Sequence, residues 1–183
     1  MIDQNFDKRF QLFRKNAENP DILRLELMAS LWELKETLGE YDKTKVGAGV
    51  FDDHCNVFYG FNRLGEARTQ GDNSRLHTHA EKEAIECALR TKNELDSSPI
   101  ESAAITLKSI YVTKFPCEEC AKLIVAADIK ELVCIEPYAS SRWYESQTRA
   151  RKTLEEHGVS IIEIEQEALD SHMKVMNELV TSH

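Results

Sequence analysis

A chain of 183 residues, 42% apolar and 30% charged, is long enough for one well-buried domain and short for two. Its formal net charge of −9 repels a polyphosphate backbone, which argues against DNA or RNA as a partner. No run of about eighteen apolar residues is present to span a membrane, and MIDQNFDKRF carries charges where a secretion signal needs an apolar stretch, so a cytoplasmic protein is expected.

The first forty residues read as helical. Phe6, Phe10 and Phe13 recur three or four apart, and Leu27, Leu31, Leu34 and Leu38 form a second stripe that Asn19, Pro20 and Asp21 open and Gly39 stops. KVGAGVFDDHCNVFYGFN reads as two short strands about a turn at Asp52 to Asn56, a hairpin. Residues 63–77 are polar and contain glycine, which predicts a loop. A helix follows to about Thr91, with Ala84, Ile85, Ala88 and Leu89 at helical spacing, and KNELDSSPIES is a connector. SIYVT is a buried-type strand, CEECAKLIVAAD a helix, ELVCIE a strand, SRWYESQTRARKTLEEHG a helix with Trp143 expected in the core, and VSIIEI a strand. A last amphipathic helix carries Leu169, Met173, Met176 and Leu179. Helix and strand alternate after the hairpin, which predicts one mixed sheet sandwiched by helices, an α/β fold.

Two stretches are not explained by packing. RLHTHAEKEAIECALR opens its helix with His79, Ala80 and Glu81, and YVTKFPCEEC places Pro116 directly before Cys117 and Cys120 at the start of another helix. Cysteines three apart share a helical face, and the positive end of the helix dipole favours the thiolate that binds metal. A redox pair has the same spacing but leaves His79 and Glu81 without a reason. A metal site uses Cys117, Cys120 and His79 together, each at a helix start of the kind that parallel strands bring to one sheet edge. One imidazole and two thiolates leave a tetrahedral zinc ion with one open position, where bound water falls from a pKa of about 15.7 towards 7. A regular helix turns residues two apart by about 200°, so Glu81 converges with His79 only where His79 sits at the irregular first turn. H-x-E followed by P-C-x-x-C is the signature of zinc nucleobase deaminases. The competing possibility is a closed structural zinc, with Cys134, Cys87, His77, His54 or Cys55 as fourth ligand.

With both clusters in view, the chain resembles the cytidine and deoxycytidylate deaminase superfamily, and most of all its deoxycytidylate members. DKTKVGAGVFDD resembles the family's first strand, YGFN its Gly-Tyr-Asn element, HAEKEAI its zinc helix, FPCEECAKLIVAADIKELV its second zinc helix and next strand, and RARKTLEEHGVSIIEI its closing helix and strand. The resemblance spans about residues 43–164. The length and this span together predict a single domain of 1–183, with a helical extension at 1–42 and a last helix at 165–183 outside the resemblance and a core at 43–164 within it. The implied fold is a three-layer α/β/α sandwich on a mixed five-stranded sheet, with one zinc per subunit and a homo-oligomer.

The implied reaction is hydrolytic loss of the 4-amino group from a free cytosine nucleotide, dCMP giving dUMP. Carried over, His79, Cys117 and Cys120 ligate zinc, and Glu81 shuttles protons as metal hydroxide attacks C4. Asn62 bonds the sugar, and the backbone around Ala80 and Pro116 frames the base. Arg63, Arg68 and Arg75, in the segment leading to the zinc helix, are candidate phosphate ligands, and Tyr138 is a candidate lid or stacking residue. The chain departs from the family pattern at Glu83, where asparagine is usual, and at Arg63-Leu64-Gly65-Glu66, where Gly-x-Pro is usual. Deaminases of another base, nucleoside or tRNA adenosine, and a non-catalytic zinc module, are the alternatives.

Overall fold

The computed structural model describes residues 19–39, 45–67, 75–96, 105–135 and 143–181. Helix α1 (Pro20–Leu38) begins where Asn19 Oδ1 accepts the backbone N–H groups of Asp21 and Ile22, at 3.0 and 3.4 Å, two donors that a helix start leaves over. Its buried row runs through Met28, Leu31 and Lys35. The leucine stripe is corrected at its end: Leu38, in the last turn, is 53% exposed, because the row closes at Lys35, which lies over the Trp32 ring.

Strands β1 (Gly47–Asp52) and β2 (Val57–Phe61) form the expected antiparallel hairpin. Asp52 builds the turn from within: its Oδ1 accepts the N–H groups of His54 and Asn56, and its Oδ2 accepts from the Asn56 amide. The loop expected over 63–77 is corrected. Its two ends pair as an antiparallel ribbon, β3 (Arg63–Ala67) and β4 (Arg75–Thr78), with Arg63 opposite Thr78.

Helix α2 (Ala80–Asp96) runs past the expected end at Thr91. Then follow β5 (Leu107–Val112), α3 (Glu118–Ala126), β6 (Glu131–Ile135), α4 (Tyr144–Glu156), β7 (Ser160–Ile164) and α5 (Gln166–Thr181).

The main sheet has the order β2-β1-β5-β6-β7. Its left half is antiparallel, and β5, β6 and β7 are parallel, with α3 and α4 as the crossovers. Side chains alternate along each strand and so divide between two cores. Ile110, Val112, Leu132 and Cys134 face one side, against Ala84 and Ala88 of α2, Ala121 and Ile124 of α3, and Ala150 and Leu154 of α4. Tyr111, Val133, Ile135 and Ile164 face the other side, against Met28 and Leu31 of α1 and Leu169 of α5. The result is a three-layer sandwich on a mixed five-stranded sheet.

Trp143 is the second correction to the expected core. It continues the core-facing row of Gln147, Ala150 and Leu154, but it stands at the capping position ahead of the first turn and is 46% exposed. Among the described residues, no helix is long and apolar enough to cross a membrane.

Candidate metal centre and active site

His79 lies between β4 and α2, outside regular helix, and its carbonyl accepts the Glu83 N–H at 3.1 Å to begin the helical ladder. That irregular position is the one from which His79 and Glu81 can converge. Cys117 occupies the N-cap of α3 and offers no side-chain cap, while Cys120 is buried within the first turn. His79 Nδ1 lies 3.6 Å from Cys117 Sγ and 3.3 Å from Cys120 Sγ. The three donor atoms lie within 4.8 Å of one another, and among the described residues this group has three members.

This donor set fits zinc. Zn–N near 2.0 Å and Zn–S near 2.3 Å at tetrahedral angles separate nitrogen from sulfur by about 3.5 Å. The protonation balance points the same way. Cys117 is held down to about 4 because its thiolate accepts from the Cys120 thiol and from His79, with burial opposing. The Cys120 thiol is pushed up by that same contact and by burial, and the imidazole is raised by its bond to Cys117. A divalent cation binding these donors would displace the protons that Cys120 and His79 hold.

Glu81 is 5% exposed, and burial pushes its carboxyl above the usual glutamate range, with its own backbone N–H and the His79 charge working against the shift. A carboxyl group of this kind, beside a metal-donor cluster, has the character of a proton carrier. Ala80 and Pro116 are fully buried and flank the donors in sequence.

Neighbouring elements fix both helix starts. Gly60 of β2 lies against α2 so closely that a Cβ there would fall 2.2 Å from Ala80 O and 2.4 Å from Ala84 N. From α4, Ser146 Oγ accepts the Glu118 N–H at 3.2 Å, supplying the cap that Cys117 does not. Gln147 Nε2 donates to Phe115 O at 3.3 Å, Arg149 Nε meets Glu118 Oε2 at 2.6 Å, and the Arg151 guanidinium sits 4.9 Å over the Phe115 ring. Neither Gly60 nor the α4 contacts were readable as site features, since their partners lie twenty or more residues away and leave no local pattern.

The sequence-predicted substrate residues divide. Asn62 Oδ1 accepts the Val46 N–H at 2.7 Å, which fixes the side chain beside β1. Arg63 Nε pairs with Glu83 Oε1 at 2.8 Å, so the guanidinium is held by the zinc helix. Arg75 is placed in β4 by its backbone, while Arg68 and Tyr138 lie outside the described residues.

The chain is similar over 61 residues, at 41% identity, to the deoxycytidylate deaminase of Mus musculus, and over 54 residues, at 43% identity, to that of Pongo abelii. These stretches cover 32% and 28% of this chain, and the same shares of the relatives, so the chain matches about a third or less of the length of those curated relatives. Among solved structures it resembles the apo dCMP deaminase of cyanophage S-TIM5, at 21% identity and a TM-score of 0.54, covering 80% of this chain and 99% of that one. The same phage protein has been solved in complex with dCMP and dUMP (TM-score 0.53, 18% identity). A variant of NE0047 in complex with 8-azaguanine has a TM-score of 0.54 at 17% identity, covering 87% of this chain and 86% of its own. At these identities the likeness is one of fold. The family model described as the cytidine and deoxycytidylate deaminase zinc-binding region matches residues 23–136, more than half of the chain, and this protein belongs to that family.

Proposed function

We propose that this protein is a zinc-dependent hydrolytic deaminase of a free cytosine nucleotide, converting dCMP to dUMP and ammonia. The observation that carries the reading is the convergence of His79, Cys117 and Cys120 within 4.8 Å, with the buried Glu81 one residue beyond the histidine's neighbour. Deoxycytidylate deaminases among the relatives, and a fold neighbour solved with dCMP and dUMP, support the choice of base and phosphate.

In this scheme His79, Cys117 and Cys120 hold the zinc, which when bound supplies Lewis acidity and makes hydroxide available from water near neutral pH. Glu81 takes a proton from the attacking water, delivers it to ring N3 as C4 becomes tetrahedral, and carries the second to the departing amine. Its raised carboxyl value suits a group that must hold and release a proton in one cycle. Asn62 bonds the sugar, the backbone at Ala80 and Pro116 frames the base, and Arg63 receives the phosphate, with Arg68, Arg75 and Tyr138 assigned supporting contacts. The proposal includes a single domain, a homo-oligomer, a cytoplasmic location and no nucleic-acid partner.

Ammonia release from dCMP, dCTP, CMP, deoxycytidine, guanine and adenosine by the zinc-loaded protein tests it. Turnover of dCMP in preference to the rest supports the reading, and preference for guanine or adenosine overturns it.

A further inference from the structure

We propose that Glu83 is a positioning residue that sets the phosphate-binding end of the site, by clamping the junction of β2 and β3 to the first turn of α2. The argument starts from an unusual concentration of contacts on one carboxylate. Glu83 Oε2 accepts the Phe61 N–H at 2.7 Å, and Glu83 Oε1 takes Arg63 Nε at 2.8 Å. Its own N–H donates to the carbonyl of His79, the imidazole donor of the metal cluster. One residue thus bonds the metal ligand's main chain, the strand end and the arginine.

The register explains why the clamp is needed. β2 is an edge strand of the five-stranded sheet. The Asn62 N–H turns inward to Val46 O, at 3.1 Å, so the Phe61 N–H of the preceding residue faces away from β1. An outward N–H on an edge needs an acceptor, and Glu83 is that acceptor. Gly60, with no side chain, admits α2 closely enough for a helix residue to reach it. Phe61, Asn62 and Arg63 are therefore fixed from two sides, by α2 and by the residue leading into β1.

The chemistry identifies which part of a substrate gains. Arg63 pairs in register with Thr78, the residue before His79, and is 54% exposed by its side chain. A guanidinium offers five donors in a rigid fork, and holding Nε fixes the direction of that fork. A carboxylate near a substrate anion repels it, but here the charge is matched by the arginine it orients. Pre-setting the fork lowers the ordering cost of gripping a phosphate monoester, and it does little for a neutral nucleoside.

This inference rests on the dCMP reading, and its test separates the two. Glu83→Ala and Glu83→Gln are assayed with dCMP and deoxycytidine, with zinc content and backbone amide exchange of Phe61 measured in parallel. The expected result for Glu83→Ala is a KM for dCMP raised tenfold or more relative to the KM for deoxycytidine, with zinc content unchanged. Glu83→Gln, which keeps an acceptor oxygen for Phe61, recovers part of the loss. Equal shifts for both substrates, or loss of zinc, overturn the role. If the wild-type protein turns over neither substrate, the function reading fails while the clamp is still decided by exchange: Phe61 exchanges at least tenfold faster in Glu83→Ala if the clamp exists, and unchanged exchange removes it.

Discussion

Two helices begin at the metal-donor cluster, α2 behind His79 and α3 at Cys117, and the fold holds them by different means. The α2 start is pressed against β2 backbone to backbone, through the missing side chain of Gly60. The α3 start is pinned by side chains of α4: Ser146 on the Glu118 N–H, Arg149 on the Glu118 carboxylate and Gln147 on Phe115 O. The first contact tolerates no added atom, whereas the second is a set of replaceable polar bonds. The helix that carries the buried Glu81 thus has the stiffer seat, and the helix that carries two of the three donors has the more adjustable one.

Substitutions at each start separate these roles. Cys117→Ala removes a donor from the adjustable side and is expected to abolish stable zinc binding and all turnover, since ligation and folding are coupled. Elemental analysis checks it, and a normally metallated variant would break the comparison at its root. Glu81→Ala, on the stiff side, is expected to keep one zinc per chain while kcat falls by about 10²–10⁴-fold, the usual worth of a positioned proton carrier. Steady-state ammonia release with a metal assay distinguishes that outcome from metal loss.

Gly60→Ala forces a methyl group to within 2.2 Å of Ala80 O and 2.4 Å of Ala84 N, both main-chain atoms. The expected loss is about 3 kcal/mol of stability, measured by denaturant unfolding of the zinc-loaded protein. Ser146→Ala deletes one part-buried cap and is expected to cost about 1 kcal/mol, with zinc affinity lowered only a few-fold. A larger loss from Ser146→Ala than from Gly60→Ala would reverse the ranking of the two seats.

Much of this architecture was legible because it is written locally. Asn19 and Gly39 bracket α1, the short apolar runs SIYVT and ELVCIE mark the strands β5 and β6, and His79, Cys117 and Cys120 declare a metal chemistry by type and spacing. The misses share a physical origin. β3 and β4 contain polar residues and glycine, and their pairing depends on each other across the chain reversal rather than on apolar periodicity. Trp143 obeys the period of its helix but stands ahead of the first turn, where periodicity no longer implies cover. Arg63 read from the sequence as a candidate phosphate ligand, and its pairing with Glu83, twenty positions along and on another element, was not legible. Contacts of that range leave no trace in a window of neighbouring residues.

The spacing of the donors has a thermodynamic consequence. His79 and Cys117 are 38 positions apart, so an ion gripping both acts as a cross-link that closes a long stretch of chain. A covalent closure of that length restricts the unfolded ensemble by about 4 kcal/mol. Chelation should therefore do more than silence chemistry: it should loosen the tether between the hairpin side of the sheet and its parallel side, and lower the melting temperature of the whole sandwich.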